Sequence, residues 1–382
     1  MTTLTHRPAP PVARPARRFL AALDRPGDAF GHIGPNWFAV VMGTGIVSNA
    51  AVTLPLQFPG LRAFATLVWV AAAVLLVALI TAWTMHWRRF PDNARAHGAH
   101  PVMSQFYGAP PMALLTVGLG ALLVGRDVVG TTAAVAIDWV LWSAGTVLGL
   151  ATAFAIPYRM ITRHRFDPDA AFGGWLMPVV PPMVSAATGA MLVPHTPPGQ
   201  ARLTLVLACF AMFGVSLIAA LVTTTLIWSR LLHYGPPARG AVATVWLVLG
   251  PLGQSVTAAG LLANTGPQAL PHLYASGLEV FAVVYGVVVW GFAMLWLALA
   301  IAITARERAT MPFNLTWWGF TFPLGTCVTG STVLYTRTGA TVFAIVSVAL
   351  YALLLAAWTV VAARTADGVL TGTLLRPPAP AR

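Results

Sequence analysis

The chain has 382 residues, of which 58% are hydrophobic and only 8% are charged, and its mean hydropathy is +0.77. Such a small number of charged groups cannot cover a water-soluble surface. The composition therefore excludes a soluble enzyme or binding protein and predicts an integral membrane protein. The net charge of +12 is the difference between 22 arginines and 10 acidic residues, and the chain contains no lysine. Because these arginines lie in short segments between apolar runs, membrane lipid headgroups are their predicted partner and no nucleic-acid partner is predicted.

Ten apolar runs are long enough to cross a membrane, which requires about 20 residues of helix. They predict spans at about 35–54, 64–87, 106–125, 131–158, 174–193, 203–229, 241–263, 275–304, 314–336 and 341–363. The runs are continuous and do not alternate with period two, so we predict an all-α integral membrane fold. Residues 31–365 are predicted to form one transmembrane domain, flanked by disordered cytoplasmic tails at 1–30 and 366–382.

The positions of the arginines predict the orientation of the chain. Five arginines precede the first span, ten lie in the loops after spans two, four, six and eight, and three lie in the C-terminal tail. The loops on the opposite side contain only Arg62, Arg126, Arg202 and Arg337. By the positive-inside rule, we predict a multi-pass protein of the plasma (inner) membrane with both termini in the cytoplasm.

The first span contains VMGTGIVS, residues 41–48, in which Gly43 and Gly45 suggest a phosphate-binding glycine loop. Such a loop needs a preceding strand and a βαβ unit, and this stretch lies inside a membrane span, so no dinucleotide or other cofactor is predicted. We expect the two glycines to leave room for a solute, with close packing of helices as the alternative.

A repeat of about 71 residues connects the odd-numbered spans. Span three contains PPMALLTVGLGALL from Pro110 and span five contains PPMVSAATGAML from Pro181, while span seven contains PLGQSVTAAGLL from Pro251 and span nine contains PLGTCVTGSTVL from Pro323. One further step back reaches the glycines of span one. The odd spans combine proline, glycine and hydroxyl residues, which is typical of the protein interior, whereas the bulky aliphatic even spans suit lipid.

The repeat predicts ten transmembrane helices arranged as five helical hairpins in a quasi-five-fold ring, with the inner helices lining a central pore. Four prolines are predicted to kink the inner helices: Pro111, Pro182, Pro251 and Pro323.

The predicted pore lining is small and hydroxyl-bearing, because no Asp, Glu, Arg, Lys or His falls inside the odd spans. It consists of Gly43, Thr44, Gly45, Thr116, Ser185, Thr188, Ser255, Thr257, Thr326 and Thr329. Hydroxyl and amide groups donate hydrogen bonds to anions, and the cytoplasmic arginines attract them, so a small anionic solute is the predicted partner. About half of these hydroxyls are expected to bond their own helix instead. Asp138 and Glu279 are predicted to lie at headgroup level.

Phe322 directly precedes Pro323 in the ninth-span stretch WWGFTFPLGT. A phenylalanine beside a proline in a narrow pore can act as an apolar gate. Simple packing is the alternative, and it is the commoner role of an aromatic residue in a membrane helix.

Over residues 30–365, the chain resembles the tellurite-resistance/dicarboxylate transporter family. The resemblance rests on the five-hairpin pattern, the first-span stretch PNWFAVVMGTGIVS and the ninth-span stretch FNLTWWGFTFPLGTCVTGS. That family includes malate permeases, sulfite efflux pumps and slow anion channels. The resemblance implies a ten-helix anion transporter or channel, often a homotrimer, that conducts monovalent or dicarboxylic anions. Members differ in their substrates, and our leading hypothesis for the cargo of this chain is a C4-dicarboxylate such as malate, or sulfite. It also implies that Phe322 is the pore-occluding phenylalanine. Channel and proton-coupled carrier both remain open.

An integral-membrane enzyme acting on lipid-like substrates is the alternative function. Such an enzyme needs several Asp, Glu or His at one membrane face, and the only close pair of aspartates is Asp167 with Asp169. His97 and His100 have no third or fourth ligand nearby in the sequence, so no metal site is predicted.

Overall fold

The computed structural model describes residues 19–23 and 25–376, and these residues form helices and connecting turns without strands. The α-helices are α1 (Ala39–Thr53), α2 (Leu61–Arg89), α3 (Pro91–Ala99), α4 (Ala109–Gly120), α5 (Arg126–Val129), α6 (Thr131–Arg163), α7 (Pro181–Leu192), α8 (Gln200–Tyr234), α9 (Leu249–Thr265), α10 (His272–Glu307), α11 (Phe322–Thr338) and α12 (Thr341–Thr371). A π-helical turn, Ala121–Gly125, joins α4 to α5. The predicted all-α class is confirmed.

Consecutive long helices pack against each other in five pairs: α1 with α2, α4 with α6, α7 with α8, α9 with α10, and α11 with α12. The first helix of each pair is almost entirely buried, and we call α1, α4, α7, α9 and α11 the buried helices. The second helices expose large apolar side chains such as Val74, Ile218 and Val284, and we call α2, α6, α8, α10 and α12 the peripheral helices. This contrast follows the difference in composition between odd and even spans.

Within the described residues, seven helical segments are long and apolar enough to cross a membrane: Leu61–Arg89, Met103–Val129, Thr131–Arg163, Gln200–Tyr234, Arg239–Gln268, His272–Glu307 and Thr341–Thr371. The protein is therefore a multi-pass membrane protein. The other three predicted spans, 35–54, 174–193 and 314–336, contain α1, α7 and α11, which have 15, 12 and 17 residues.

Each buried helix follows a 3₁₀ segment: Pro35–Phe38, Met103–Gly108, Gly173–Leu176, Arg239–Val248 and Leu315–Phe320. The prolines predicted to kink the inner helices lie in the first turn of the α-helix that follows: Pro111 in α4, Pro182 in α7, Pro251 in α9 and Pro323 in α11. The first turn tolerates proline because its N–H groups have no partner within the helix. These prolines therefore mark the change from 3₁₀ to α geometry within each predicted span, and the kinks themselves stay a prediction.

The buried helices contact one another in the order α1, α4, α7, α9, α11, and α11 contacts α1 again. The last hairpin is also bonded to the first. Tyr351 Oη of α12 donates to the carbonyl of Val47 at 3.2 Å, and Trp358 Nε1 donates to Thr44 Oγ1 at 3.2 Å.

The N-terminal segment lies against the end of α12. The N–H of Leu20 donates to the carbonyl of Leu370 at 2.8 Å, and the N–H of Ala22 donates to that of Thr371 at 3.0 Å. Helix α12 continues to Thr371, past the boundary of 365 that was predicted for the domain. The parts of the predicted tails at 1–18 and 377–382 lie outside the described residues.

Candidate functional site

A cavity of about 300 Å³ lies between the buried helices. All five contribute side chains to its wall, for example Ile46 of α1, Leu119 of α4, Val184 of α7, Leu261 of α9 and Val333 of α11. The wall is largely apolar, with threonine and amide groups between the aliphatic side chains. It therefore offers an anion few charges but several polar contacts.

Four of the predicted lining residues lie on this cavity: Thr116, Thr188, Thr257 and Thr329. Most of their hydroxyl protons are used within the helices. Thr116 donates to the carbonyl of Met112 at 2.7 Å, and Thr188 donates to the carbonyl four residues earlier at 2.9 Å. Thr257 and Thr329 share a hydrogen bond of 2.7 Å between α9 and α11. These side chains therefore present mainly methyl groups and oxygen lone pairs to the cavity.

The other predicted hydroxyls are not among the cavity-lining residues. Thr44 turns toward α12, where it accepts a hydrogen bond from Trp358. Ser255 and Thr326 donate to carbonyls three residues earlier, at 2.9 and 2.7 Å. Ser185 is buried, and its hydroxyl has no hydrogen-bond partner in the described part of the chain.

Gly43 and Gly45 allow neighbouring elements to approach α1 closely. A Cβ atom on Gly43 would overlap the hydroxyl of Thr321 and lie 2.6 Å from the ring of Trp318. A Cβ atom on Gly45 would lie 2.7 Å from Cγ2 of Thr116. Neither glycine lines the cavity. The geometry corresponds to the helix-packing alternative and not to the expected room for a solute.

Phe322 lies where the cavity narrows. Its side chain is only 3% exposed, and it lines the 300 Å³ cavity together with two much smaller ones of about 20 and 10 Å³. The small cavities are formed by the N-terminal turns of the buried helices and the segments before them, including Met42, Met177, Leu247 and Pro323. The ring of Phe322 therefore separates the main cavity from a constricted region packed with apolar side chains.

Sequence reasoning missed four amide or charged residues that line the cavity: Asn49, Gln254, Asn264 and Arg337. Asn49 is 2% exposed, and its amide donates to the carbonyl of Thr116 at 3.1 Å. The predicted lining was limited to small and hydroxyl-bearing residues near the centres of the spans, so it also omitted Thr53, Thr332 and Thr336. Arg337 was predicted to lie in a loop, whereas α11 continues through it to Thr338. Amide side chains inside apolar runs were the signal that could have found Asn49, Gln254 and Asn264.

Asp138 is fully buried, at 0% exposure, so its side chain contacts neither lipid headgroups nor water, and its depth at headgroup level stays a prediction. Within the described residues, neither carboxylate oxygen has a hydrogen-bond partner. The carboxyl group packs against Gly118 of α4, where a Cβ atom would lie 2.5 Å from Oδ1. Because Gly118 has no side chain, the carboxyl group of Asp138 can occupy this space.

His97 has other histidines near it in space, but the described residues contain no group of three or more His, Cys, Asp or Glu side chains that could hold a metal ion. The rings of His86 and His97 stack with their centroids 5.1 Å apart, and His86 Nδ1 lies 2.8 Å from the carbonyl of Phe30. Burial, together with His86, His32 and His100, lowers the pKa of His97 to about 4. These groups lie beside α3 and not at the cavity.

Known proteins resemble this chain over most of its length. A sequence model of the SLAC1 family, described as voltage-dependent anion channel, matches residues 32–366. The chain is 29% identical over 343 residues to the sulfite efflux pump SSU1 of Arthroderma otae, covering 88% of this chain and 91% of that protein. It is 26% identical over 359 residues to an uncharacterized transporter of Methanocaldococcus jannaschii, covering 94% and 99%. It is 19% identical over 307 residues to the malic acid transport protein of Schizosaccharomyces pombe, covering 76% and 68%.

Proposed function

Because the chain belongs to the SLAC1 family of anion channels and transporters, we propose that it moves sulfite, or a C4-dicarboxylate such as malate, through the 300 Å³ cavity. The chain is an anion transporter of the membrane. The relatives named as sulfite efflux pumps and as a malic acid transport protein support these two cargoes. No enzymatic chemistry is needed for this function.

The proposed path runs along the axis of a ring of ten helices in five hairpins. The buried helices contact one another in the order α1, α4, α7, α9, α11, and α11 contacts α1 again, which supports the ring. The 3₁₀ segments before α1, α7 and α11 supply the additional length that these short helices need to cross the bilayer. In the proposed orientation both termini are in the cytoplasm. The proposed assembly is a homotrimer that is surrounded by lipid in the plasma membrane.

The cavity that ends at Phe322 is the observation on which this proposal depends. Side chains from all five buried helices enclose it, and Phe322 closes it where Met42 and Leu247 fill the continuing space. An anion cannot cross such an apolar constriction without losing its hydration shell. Phe322 is therefore the proposed gate, and Thr116, Thr188, Thr257 and Thr329 are the proposed polar lining of the path.

Electrical recording from purified protein in planar bilayers tests the proposal. Sulfite, malate, nitrate and chloride are presented in turn to the wild type and to Phe322→Ala. Removal of the ring is expected to increase anion current at least about tenfold, which corresponds to lowering the barrier by about 1.4 kcal/mol.

Phe343→Ala is the matched control, because Phe343 of α12 is similarly buried but does not line the cavity. It is expected to conduct like the wild type. The absence of current in every variant and with every anion, when the protein is correctly inserted, would contradict the proposed function. Current in the wild type that Phe322→Ala leaves unchanged would contradict the gate alone.

A further inference from the structure

Arg337 is the charged member of the cavity wall in the described part of the chain, and it lies at the end opposite Phe322. Both residues belong to α11. Positions 322 and 337 are 15 residues apart, which corresponds to about 22 Å along a helix axis. The cavity therefore has an apolar constriction at one end and a guanidinium group at the other.

The guanidinium group is held in place by α9. Arg337 Nη2 donates to the carbonyl of Gly260 at 2.8 Å and to Asn264 Oδ1 at 2.5 Å. The N–H groups on Nε and Nη1 have no hydrogen-bond partner among the described residues. Arg337 is thus oriented through one nitrogen, while donors on the other two are available to a ligand.

The charge of Arg337 is not neutralised by a contacting carboxylate. In residues 19–23 and 25–376, arginines form ion pairs with Asp127, Asp92 and Glu307, and Arg337 forms none. Glu279 of α10 attracts it only at longer range. In contrast, Arg62 at the same end of its hairpin is paired with Asp127 at 2.6 Å. An unpaired cation with free donors in a partly enclosed cavity favours an anion.

We infer that Arg337 is the anion-recognition residue of this cavity. It attracts a small anion that accepts hydrogen bonds, excludes cations from the same end, and holds the anion before it reaches Phe322 or after it has passed. Thr332 and Thr336, which line the same part of the cavity, surround the bound anion with polar groups. This inference rests on the proposed function, because it names the residue that selects the cargo.

The test compares charge-removing and charge-retaining substitutions in the Phe322→Ala background, where currents are expected to be large. Arg337→Gln removes the charge, and Arg337→Lys keeps it while losing the geometry of the guanidinium group. Arg202→Gln is the control, because Arg202 donates to the carbonyl of Thr196 and does not line the cavity. Nitrate and chloride currents are measured in low and high salt, together with the reversal potential in a salt gradient.

Arg337→Gln is expected to lower the anion current at about 0.01 M salt at least about fivefold, and to shift the reversal potential toward that of an unselective path. At 1 M salt, where screening acts over about 3 Å, the difference should largely disappear. Arg337→Lys and Arg202→Gln should retain the selectivity of the background.

Two results would overturn the inference. One is an unchanged reversal potential in Arg337→Gln. The other is an equal loss in Arg337→Lys and Arg337→Gln that high salt does not restore, which would assign Arg337 to joining α9 and α11. Both results require a measurable current in Phe322→Ala, so they differ from the complete absence of current that would contradict the proposed function.

Discussion

Replacement of Gly43 by alanine is expected to destabilise the protein, because the structure has no room for an added methyl group. The new Cβ atom would overlap the hydroxyl of Thr321 and lie 2.6 Å from the ring of Trp318. Neither neighbour is free to move. Thr321 Oγ1 donates to the carbonyl of Trp318 at 2.7 Å, and Trp318 Nε1 donates to the buried Thr365 hydroxyl at 3.0 Å.

The expected size of the effect follows from three contributions. Overpacking an interior costs about 1–3 kcal/mol, and loss of the Trp318 hydrogen bond costs about 1 kcal/mol. The better helix propensity of alanine offsets about 1 kcal/mol of this. The free energy of unfolding should therefore fall by about 1–3 kcal/mol. In a chain of 382 residues, whose unfolding entropy is about 0.8 kcal/mol/K, that corresponds to a lowering of the melting temperature by about 1–4 °C.

Thermal unfolding of the purified protein in detergent measures this change. Gly214→Ala on α8 is the matched control, because no heavy atom lies within 4 Å of the position its Cβ would take. This control should melt at or slightly above the wild-type temperature, since alanine favours helix. If Gly43→Ala melts as high as Gly214→Ala, the reasoning from close packing at α1 is refuted.

Three further predictions concern other parts of the molecule. The pKa of His97 is lowered from 6.5 to about 4, so the folded state binds a proton at this residue more weakly than the unfolded state does. Stability that is present above pH 6.5 should therefore be lost as the pH falls toward 4. His97→Gln should flatten this dependence in melting curves, and an unchanged slope would contradict the assignment. In a double-mutant cycle of Thr257→Val and Thr329→Val, the shared hydrogen bond should appear as a coupling of about 1 kcal/mol, whereas strictly additive effects would argue against it. Asp138→Asn should leave anion flux unchanged, because the carboxyl packs against Gly118 and does not line the cavity, and lost flux would assign it to transport.

The positions of the helices could be predicted because each predicted span is a continuous apolar run. The predicted span at 241–263 lies within Arg239–Gln268, and the last span begins at Thr341 as predicted. The ends at the arginine-rich side were placed too early, as at 158 instead of Arg163. Backbone hydrogen bonding continues there beyond the apolar run, so hydropathy alone does not mark where the helix ends.

The site could be predicted only in part, because a helix buried on every side gives no contrast between a polar and an apolar face. Thr257 and Thr329 lie at equivalent positions of the repeat, and both reach the cavity. Thr44 has the same chemistry but faces α12. Which side of such a helix meets the cavity depends on contacts between helices far apart in the sequence. Arg337 was missed for a different reason, since an arginine at a helix end is normally read as a mark of topology.

The hydrogen bonds from α12 to α1 have a consequence for biogenesis. Tyr351 and Val47 are separated by 304 positions, so α1 enters the membrane long before its last partner has been synthesised. Until then, the polar side chain of Asn49 lies in an assembly that is open on one side to lipid. The segment at Leu20 already bonds the end of α12 at Leu370. A circular permutant that joins these two segments and begins at another hairpin would therefore keep the described helix contacts while changing the order of insertion. In the proposed ring, the last hairpin to be inserted, whichever it is, completes the barrier between the cavity and the surrounding bilayer.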